Sequence, residues 1–120
     1  KMNKITNNKF DLEERTTKFS ENIILVCKKA LKTTISSNII DQLLRSGTSI
    51  GANYFEANGA SSKRDFKNKI FICKKEARET KYWLRLLART NNDLIVDCRE
   101  LWKEAHELTL IFSKIIINTT

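Results

Sequence analysis

Residues 66–87, FKNKIFICKKEARETKYWLRLL, decide the fold because their apolar positions recur at helical spacing through three heptads. Intervals of four and three residues are the period of a helix with one buried face. The positions of this seam are Phe66, Ile70, Cys73, Ala77, Thr80, Leu84 and Leu87. Ser62 followed by Asp65 resembles a capping box and predicts where this helix begins. Asn58-Gly59 before it and residues 90–93 after it predict the flanking turns.

Three further segments show the same helical period. They are predicted to run from about Asp11 to Lys32, from about Asn38 to Ala57, and from Leu94 to Ile115. Because four helices joined by short loops must alternate in direction, we predict an all-α, antiparallel up-down-up-down four-helix bundle over residues 10–118. Residues 1–9 are predicted to form a flexible N-terminus.

The composition suits one soluble, cytoplasmic domain. The chain has 120 residues, no Pro and only three Gly, which favours long helices. No apolar run is long enough to span a membrane, and residues 1–10 do not resemble a secretory signal. The odd number of cysteines (Cys27, Cys73 and Cys98), without a C-x-x-C pair, predicts reduced thiols in the core of a cytoplasmic protein.

Positive charge is concentrated in residues 61–90, which hold ten Lys or Arg against three acids and so +7 of the total +8. On a helical projection seven of these cations fall within an arc of about 80° that extends roughly 40 Å. We call them the basic stripe: Lys63, Lys67, Lys74, Arg78, Lys81, Arg85 and Arg89. The acids of the same helix fall on its opposite flank, and this segregation predicts phosphate contact with a nucleic acid. The alternative is a merely solvated lysine-rich face.

The second helix combines small residues with a second apolar side. Gly47-x-x-x-Gly51 permits another helix to approach closely, and Leu44, Gly51 and Phe55 lie about 100° from its seam, which predicts self-association. The residues predicted to pack between helices or subunits are Gly47, Gly51, Tyr54, Phe55 and Trp83. The polar residues near the seams, predicted to form a hydrogen-bond network that fixes helix register, are Asn53, Glu56 and Glu79. A partner contact is the alternative role for these three.

Catalytic constellations do not emerge from the sequence. A di-iron bundle needs Glu-x-x-His on two helices, but His106 is the sole histidine and Lys103 stands three residues before it. His106 lies in a charged stretch that predicts solvent exposure. There is no phosphate-binding glycine loop of the P-loop type. We therefore expect no catalytic residue, metal, cofactor or small-molecule substrate.

Two longer motifs carry a family resemblance. Segments 45–57 (RSGTSIGANYFEA) and 75–87 (KEARETKYWLRLL), with Asp65-Phe66 between them, resemble the bacterial four-helix-bundle proteins encoded within intervening sequences of 23S ribosomal RNA genes. The resemblance extends from about Phe10 to Ile117. It implies a homopentameric barrel with a basic surface that binds nucleic acid, structured RNA in particular, and no catalytic residues.

The same family is similar to the accessory proteins of diversity-generating retroelements, which work with a reverse transcriptase and RNA. A signature of Ser49, Asn53 and Glu56 matches the intervening-sequence branch instead. Together with the basic stripe, the family resemblance leads us to predict a non-enzymatic, oligomeric protein that binds RNA through the basic stripe. The possible additional phosphate contacts on the first helix are Lys18, Lys28, Lys29 and Lys32. The alternative is a scaffold or accessory subunit whose basic face meets an acidic protein or a reverse transcriptase.

Overall fold

A computed structural model describes the backbone of residues 4–119 and the side chains of residues 12–119. Every regular element in that part of the chain is helical, which confirms the predicted all-α class with four long helices. The elements are α1 (Lys4–Lys29), α2 (Ser37–Asn58), α3 (Lys63–Thr90), a short 3-10 helix (Asn92–Leu94) and α4 (Ile95–Asn118).

The largest difference from the predicted bounds concerns α1, which begins at Lys4 and not near Asp11. Residues 4–10 contain neither Pro nor Gly, so nothing in the chain stops the helix from extending upstream. Flexibility of residues 1–9 stays a prediction, and residues 1–3 lie outside the described part of the chain. At its other end α1 stops at Lys29, and in the connection that follows Ser36 Oγ donates to Leu31 O at 2.8 Å.

The start of α3 agrees with the capping signal. Ser62 Oγ accepts a hydrogen bond of 3.0 Å from the backbone N–H of Asp65, and Ser62 is the N-cap. An N-cap of this type satisfies one of the amide groups that the first helical turn leaves free. The predicted start of α3 is therefore confirmed.

The predicted seams form one core. Most of their members are almost completely buried, although Phe66 at the start of α3 is only partly buried. The largest fully buried side chains include Phe19, Ile23, Leu43, Leu84 and Phe112. In each of three helix pairs, residues early in one helix contact residues late in the other. The contacts are Glu13 with Asn58 and Cys27 with Ile40 between α1 and α2, Glu56 with Lys69 and Ser46 with Thr80 between α2 and α3, and Arg15 with Glu104 and Lys29 with Asp97 between α1 and α4.

The two glycines of α2 lie against α1. A Cβ atom added to Gly47 would stand 2.8 Å from Ile23 Cγ1, and one added to Gly51 would stand 3.3 Å from the backbone oxygen of Thr16. These positions have no side chain because the neighbouring helix occupies the space. Tyr54 is also buried inside the bundle, where the centroid of its ring lies 6.3 Å from that of Phe112.

The three polar residues predicted to share a network are separated in the structure. Asn53 Nδ2 donates within its own helix to Ser49 O at 2.8 Å, while Glu56 is exposed and pairs with Lys69. Glu79 contacts a different residue of α2, Arg45. A buried polar link between helices is instead Thr80 Oγ1 to Ser46 Oγ at 3.0 Å, since hydroxyls are small enough to remain inside a tight seam.

Candidate nucleic-acid interface

The basic stripe lies along the outer side of α3, but its members are not equally free. Lys63, Arg78, Arg85 and Arg89 are exposed, whereas Lys67, Lys74 and Lys81 are half-buried. Long basic side chains can cover apolar surface with their methylene groups while the charge stays in water. Among residues 12–119, no carboxylate forms an ion pair with any of the seven.

The acids on the other flank of α3 are engaged within the bundle. Arg45 of α2 pairs with Glu76 at 3.2 Å and also with Glu79. The indole N–H of Trp83 donates to Glu79 Oε2 at 2.9 Å. That bond, followed by the Arg45 bond, lowers the pKa of Glu79 below its usual value. Glu76 and Glu79 thus stabilise the contact of α3 with α2, and the seven stripe cations remain outside these ion pairs.

The N-terminal half of the stripe borders a shallow depression on α3. Lys74, Lys75 and Arg78 line it together with the exposed ring of Phe71 and with Glu79, whose carboxylate pairs with Arg45. The depression has a volume of about 430 Å³. Its cations can bind phosphate oxygens from solvent, because none of the three is paired with an acid of the described residues.

The C-terminal half of the stripe turns toward α4 and borders a groove between the two helices. This α3–α4 groove has a volume of about 460 Å³. Its apolar residues are Leu84, Ala88, Ile95, Cys98 and Trp102, and its cations are Arg85, Arg89, Arg99 and Lys103. Two helices therefore contribute positive charge to one concave site, whereas the sequence predicted a ridge on α3 with possible additions from α1 and none from α4.

The α4 residues of this groove were missed by sequence reasoning. In α4 the cations Arg99 and Lys103 alternate with the acids Glu100 and Glu104, so no segregation of charge marks a binding face. Only the packing of α4 against α3 brings Arg99 and Lys103 to the same groove as Arg85. No pattern in the sequence marked Trp102 as part of a binding site.

His106 is half-buried, which corrects the expectation that it is exposed to solvent. Its ring stacks on Trp102 with a centroid separation of 5.3 Å and an interplanar angle of 12°. Lys81 Nζ lies 3.1 Å from His106 Nδ1 and 5.0 Å from the centroid of the Trp102 ring. Lys81 thus joins α3 to α4, in addition to carrying a charge of the stripe.

The remaining predicted residues divide between packing and surface. Trp83 packs partly buried against the core, with Tyr82 edge-on at 4.9 Å between ring centroids. Phe55 is 72% exposed and takes no part in the core. On α1, Lys29 pairs with Asp97, and Lys32 just beyond it pairs with Asp41, both at 3.1 Å. Lys18 and Lys28 are exposed.

The three thiols are free and protonated at neutral pH. Burial raises the pKa of Cys73 to about 12 and that of Cys27 and Cys98 to about 11. A thiol held protonated is a poor nucleophile and metal ligand. Within the described residues, no group of three or more His, Cys, Asp and Glu side chains is placed to hold a metal ion. No helix in the same part of the chain has the length and apolar character needed to cross a membrane.

The fold and the site define a class: an all-α protein of four long helices with a cation-rich side formed by α3 and α4. Residues 8–114 match the family model described as 23S rRNA-intervening sequence protein. The chain belongs to this family.

A solved relative supports the assignment. The chain is similar to a protein of unknown function from the S23 ribosomal protein family of Bacteroides thetaiotaomicron, with 36% sequence identity and a TM-score of 0.78. The similarity covers 87% of this chain and 96% of the other. No curated protein matches the chain.

Proposed function

We propose that the protein is a non-enzymatic, cytoplasmic, nucleic-acid-binding protein that binds structured RNA through the basic stripe. In this proposal it assembles from antiparallel up-down-up-down bundles into a ring-like homo-oligomer, for which the family resemblance implies five subunits. It uses no cofactor. Contacts are mostly to phosphates, so binding depends on shape and salt more than on sequence.

One observation carries the proposal. The seven stripe cations have no acidic partner among the described residues, although their own helix carries Glu76 and Glu79. Those two acids are engaged by Arg45 on the far flank. A helix that separates its charges in this way leaves a positive surface whose natural counter-charge is external. A phosphate backbone supplies negative charges at regular intervals along such a surface.

The assembly part of the proposal has its own support. Opposite chain order in the contacts of neighbouring helices is what an antiparallel bundle requires. Leu44 and Phe55 lie on one side of α2 and leave large apolar surface exposed, 40% and 72% respectively. Exposed apolar surface of this kind is typical of contacts between subunits.

Neutralisation of the stripe tests RNA binding. We expect Lys63→Gln, Lys74→Gln and Arg78→Gln, combined, to weaken binding of a labelled RNA hairpin and to reduce the slope of log K against log salt by roughly 2 to 3. The matched control changes Arg64, Lys69 and Lys114 to Gln, which removes the same charge outside both the stripe and the depression. Fluorescence anisotropy at several salt concentrations gives both quantities.

Equal loss in the two triple variants would show that net charge, and not the stripe, drives binding. Absence of RNA or DNA binding by the wild-type protein at low salt would overturn the proposed function. That result would favour the alternative, a scaffold or accessory subunit whose basic face meets an acidic protein or a reverse transcriptase.

A further inference from the structure

The α3–α4 groove differs in chemistry from the rest of the basic surface. The depression beside the N-terminal half of the stripe is lined by α3 alone, but here an apolar floor of Leu84, Ala88 and Ile95 lies between cations of two helices. A ligand that matches this groove has one flat, weakly polar part and one anionic part. A nucleotide has this chemistry, since its base stacks on aromatic and apolar side chains and its phosphate binds Arg.

The ring of Trp102 is restrained by neighbouring side chains and lies at the groove. Trp102 is 38% exposed and lines the groove, so part of its surface is accessible to a ligand. His106 stacks on it at 5.3 Å between centroids, and the Lys81 ammonium lies 5.0 Å from its centroid. These neighbours fix the ring before a ligand arrives, which reduces the entropy lost on binding.

The dimensions favour one nucleotide over a duplex. A volume of about 460 Å³ lies in the lower part of the roughly 300–1,000 Å³ range of small-ligand sites. A base within a duplex has both faces stacked on its neighbours, so only an unpaired base can present a face to a tryptophan.

We propose that the α3–α4 groove binds one unpaired nucleotide of the RNA, with its base against Trp102 and its phosphate bound by Arg85, Arg89 and Arg99. The inference rests on the proposed function, because the stripe supplies the contacts to the flanking phosphates. It deepens that function by specifying the RNA: a helix interrupted by a bulge or loop, and not an uninterrupted duplex.

Two hairpins of equal length test the inference, one fully paired and one with a single unpaired 2-aminopurine. We expect the wild-type protein to bind the bulged hairpin about tenfold more tightly, within the range expected for one stacked base. The 2-aminopurine fluorescence should fall on binding. Trp102→Leu should abolish both effects while retaining affinity for the paired hairpin. Tyr82→Leu, which removes an exposed aromatic ring outside the groove, should retain both effects.

The outcomes separate the inference from the function on which it rests. Equal affinity for both hairpins, with unchanged 2-aminopurine fluorescence, overturns the groove inference and leaves stripe-mediated RNA binding intact. Absence of binding to either hairpin overturns both. If Trp102→Leu fails to fold by circular dichroism, Arg85→Gln with Arg89→Gln serves instead and should weaken the bulged hairpin more than the paired one. Competition by a nucleoside monophosphate, without a preference between hairpins, would assign the groove to a free nucleotide and also overturn the inference.

Discussion

Lys81 Nζ on α3 lies 3.1 Å from His106 Nδ1 on α4. Lys81, the fifth of the seven stripe cations, therefore also contacts the fourth helix, where its ammonium lies 5.0 Å from the centroid of the Trp102 ring. This contact connects the positive face of α3 to the apolar floor of the neighbouring groove. It divides the stripe into an N-terminal half on α3 and a C-terminal half shared with α4.

Removal of the Lys81 charge should loosen Trp102. We expect Lys81→Met, which keeps most of the aliphatic stem, to lower the free energy of unfolding by about 0.5–1 kcal/mol through loss of the cation–π contact. In a Trp83→Phe background, acrylamide should quench Trp102 fluorescence more strongly. Lys74→Met, a half-buried stripe residue without such a contact, is the control. Unchanged quenching would show that Lys81 does not restrain the ring.

Gly47 should tolerate a methyl group less well than Gly51. The added Cβ would stand 2.8 Å from Ile23 Cγ1 and 2.9 Å from its Cγ2, against 3.3 Å from Thr16 O at Gly51. We expect Gly47→Ala to lower the free energy of unfolding by about 1–3 kcal/mol, the usual cost of overpacking. Gly51→Ala should be nearly neutral, because the better helix propensity of Ala offsets the tighter contact.

A double-mutant cycle identifies the cause of the Gly47 effect. Ile23→Ala combined with Gly47→Ala should cost less than the sum of the two single changes, because the new methyl group enters the space left by Ile23. Urea denaturation gives all four free energies. Strict additivity would mean that Ile23 is not the residue in conflict with the methyl group.

The bond between Trp83 and Glu79 should make stability depend on pH. The pKa of Glu79 is lowered from 4.5, first by the Trp83 indole N–H and then by Arg45. Its contribution is therefore present above the unfolded pKa and is lost as the pH falls through the lower folded pKa. We expect Trp83→Phe to raise the pKa of Glu79 and to destabilise the protein more at pH 7 than at pH 3.

Glu79→Gln provides the matched background for that measurement. In this background the cost of Trp83→Phe should be the same at both pH values, since position 79 no longer carries a carboxylate that titrates. Urea denaturation measures the stabilities, and an NMR titration of Glu79 measures its pKa directly. A pH-dependent cost that persists in the Glu79→Gln background would assign the effect to another group.

Phe55 should mediate subunit contact if the protein forms the proposed oligomer. We expect Phe55→Glu to reduce the particle to a folded monomer, because a charge cannot be buried in an apolar interface without a partner. Light scattering coupled to size exclusion measures the mass, and circular dichroism confirms the helices. Val96→Glu changes a similarly exposed residue on α4 and is the control. A monomeric wild-type protein would contradict the proposed assembly itself.

The core of the fold could be read from spacing. Ile70, Ala77 and Leu84 on α3 are fully buried, as their intervals predict, because a helix repeats its orientation every three to four residues. The Ser62 cap is equally local, since it depends on residues within one turn. The start of α1 could not be placed in the same way, because residues 4–10 hold neither a breaker nor a clear cap.

The amino-acid sequence by itself determined four amphipathic helices, their turns and the segregation of charge on α3, because each depends on neighbours within a few turns. The tertiary structure alone decided that Arg99 and Trp102 join Arg85 at one groove and that His106 meets Lys81. Those residues lie far apart in the chain, and the rotation of α3 against α4 sets which side chains meet. That rotation results from packing over the whole interface, and no local pattern of residues records it.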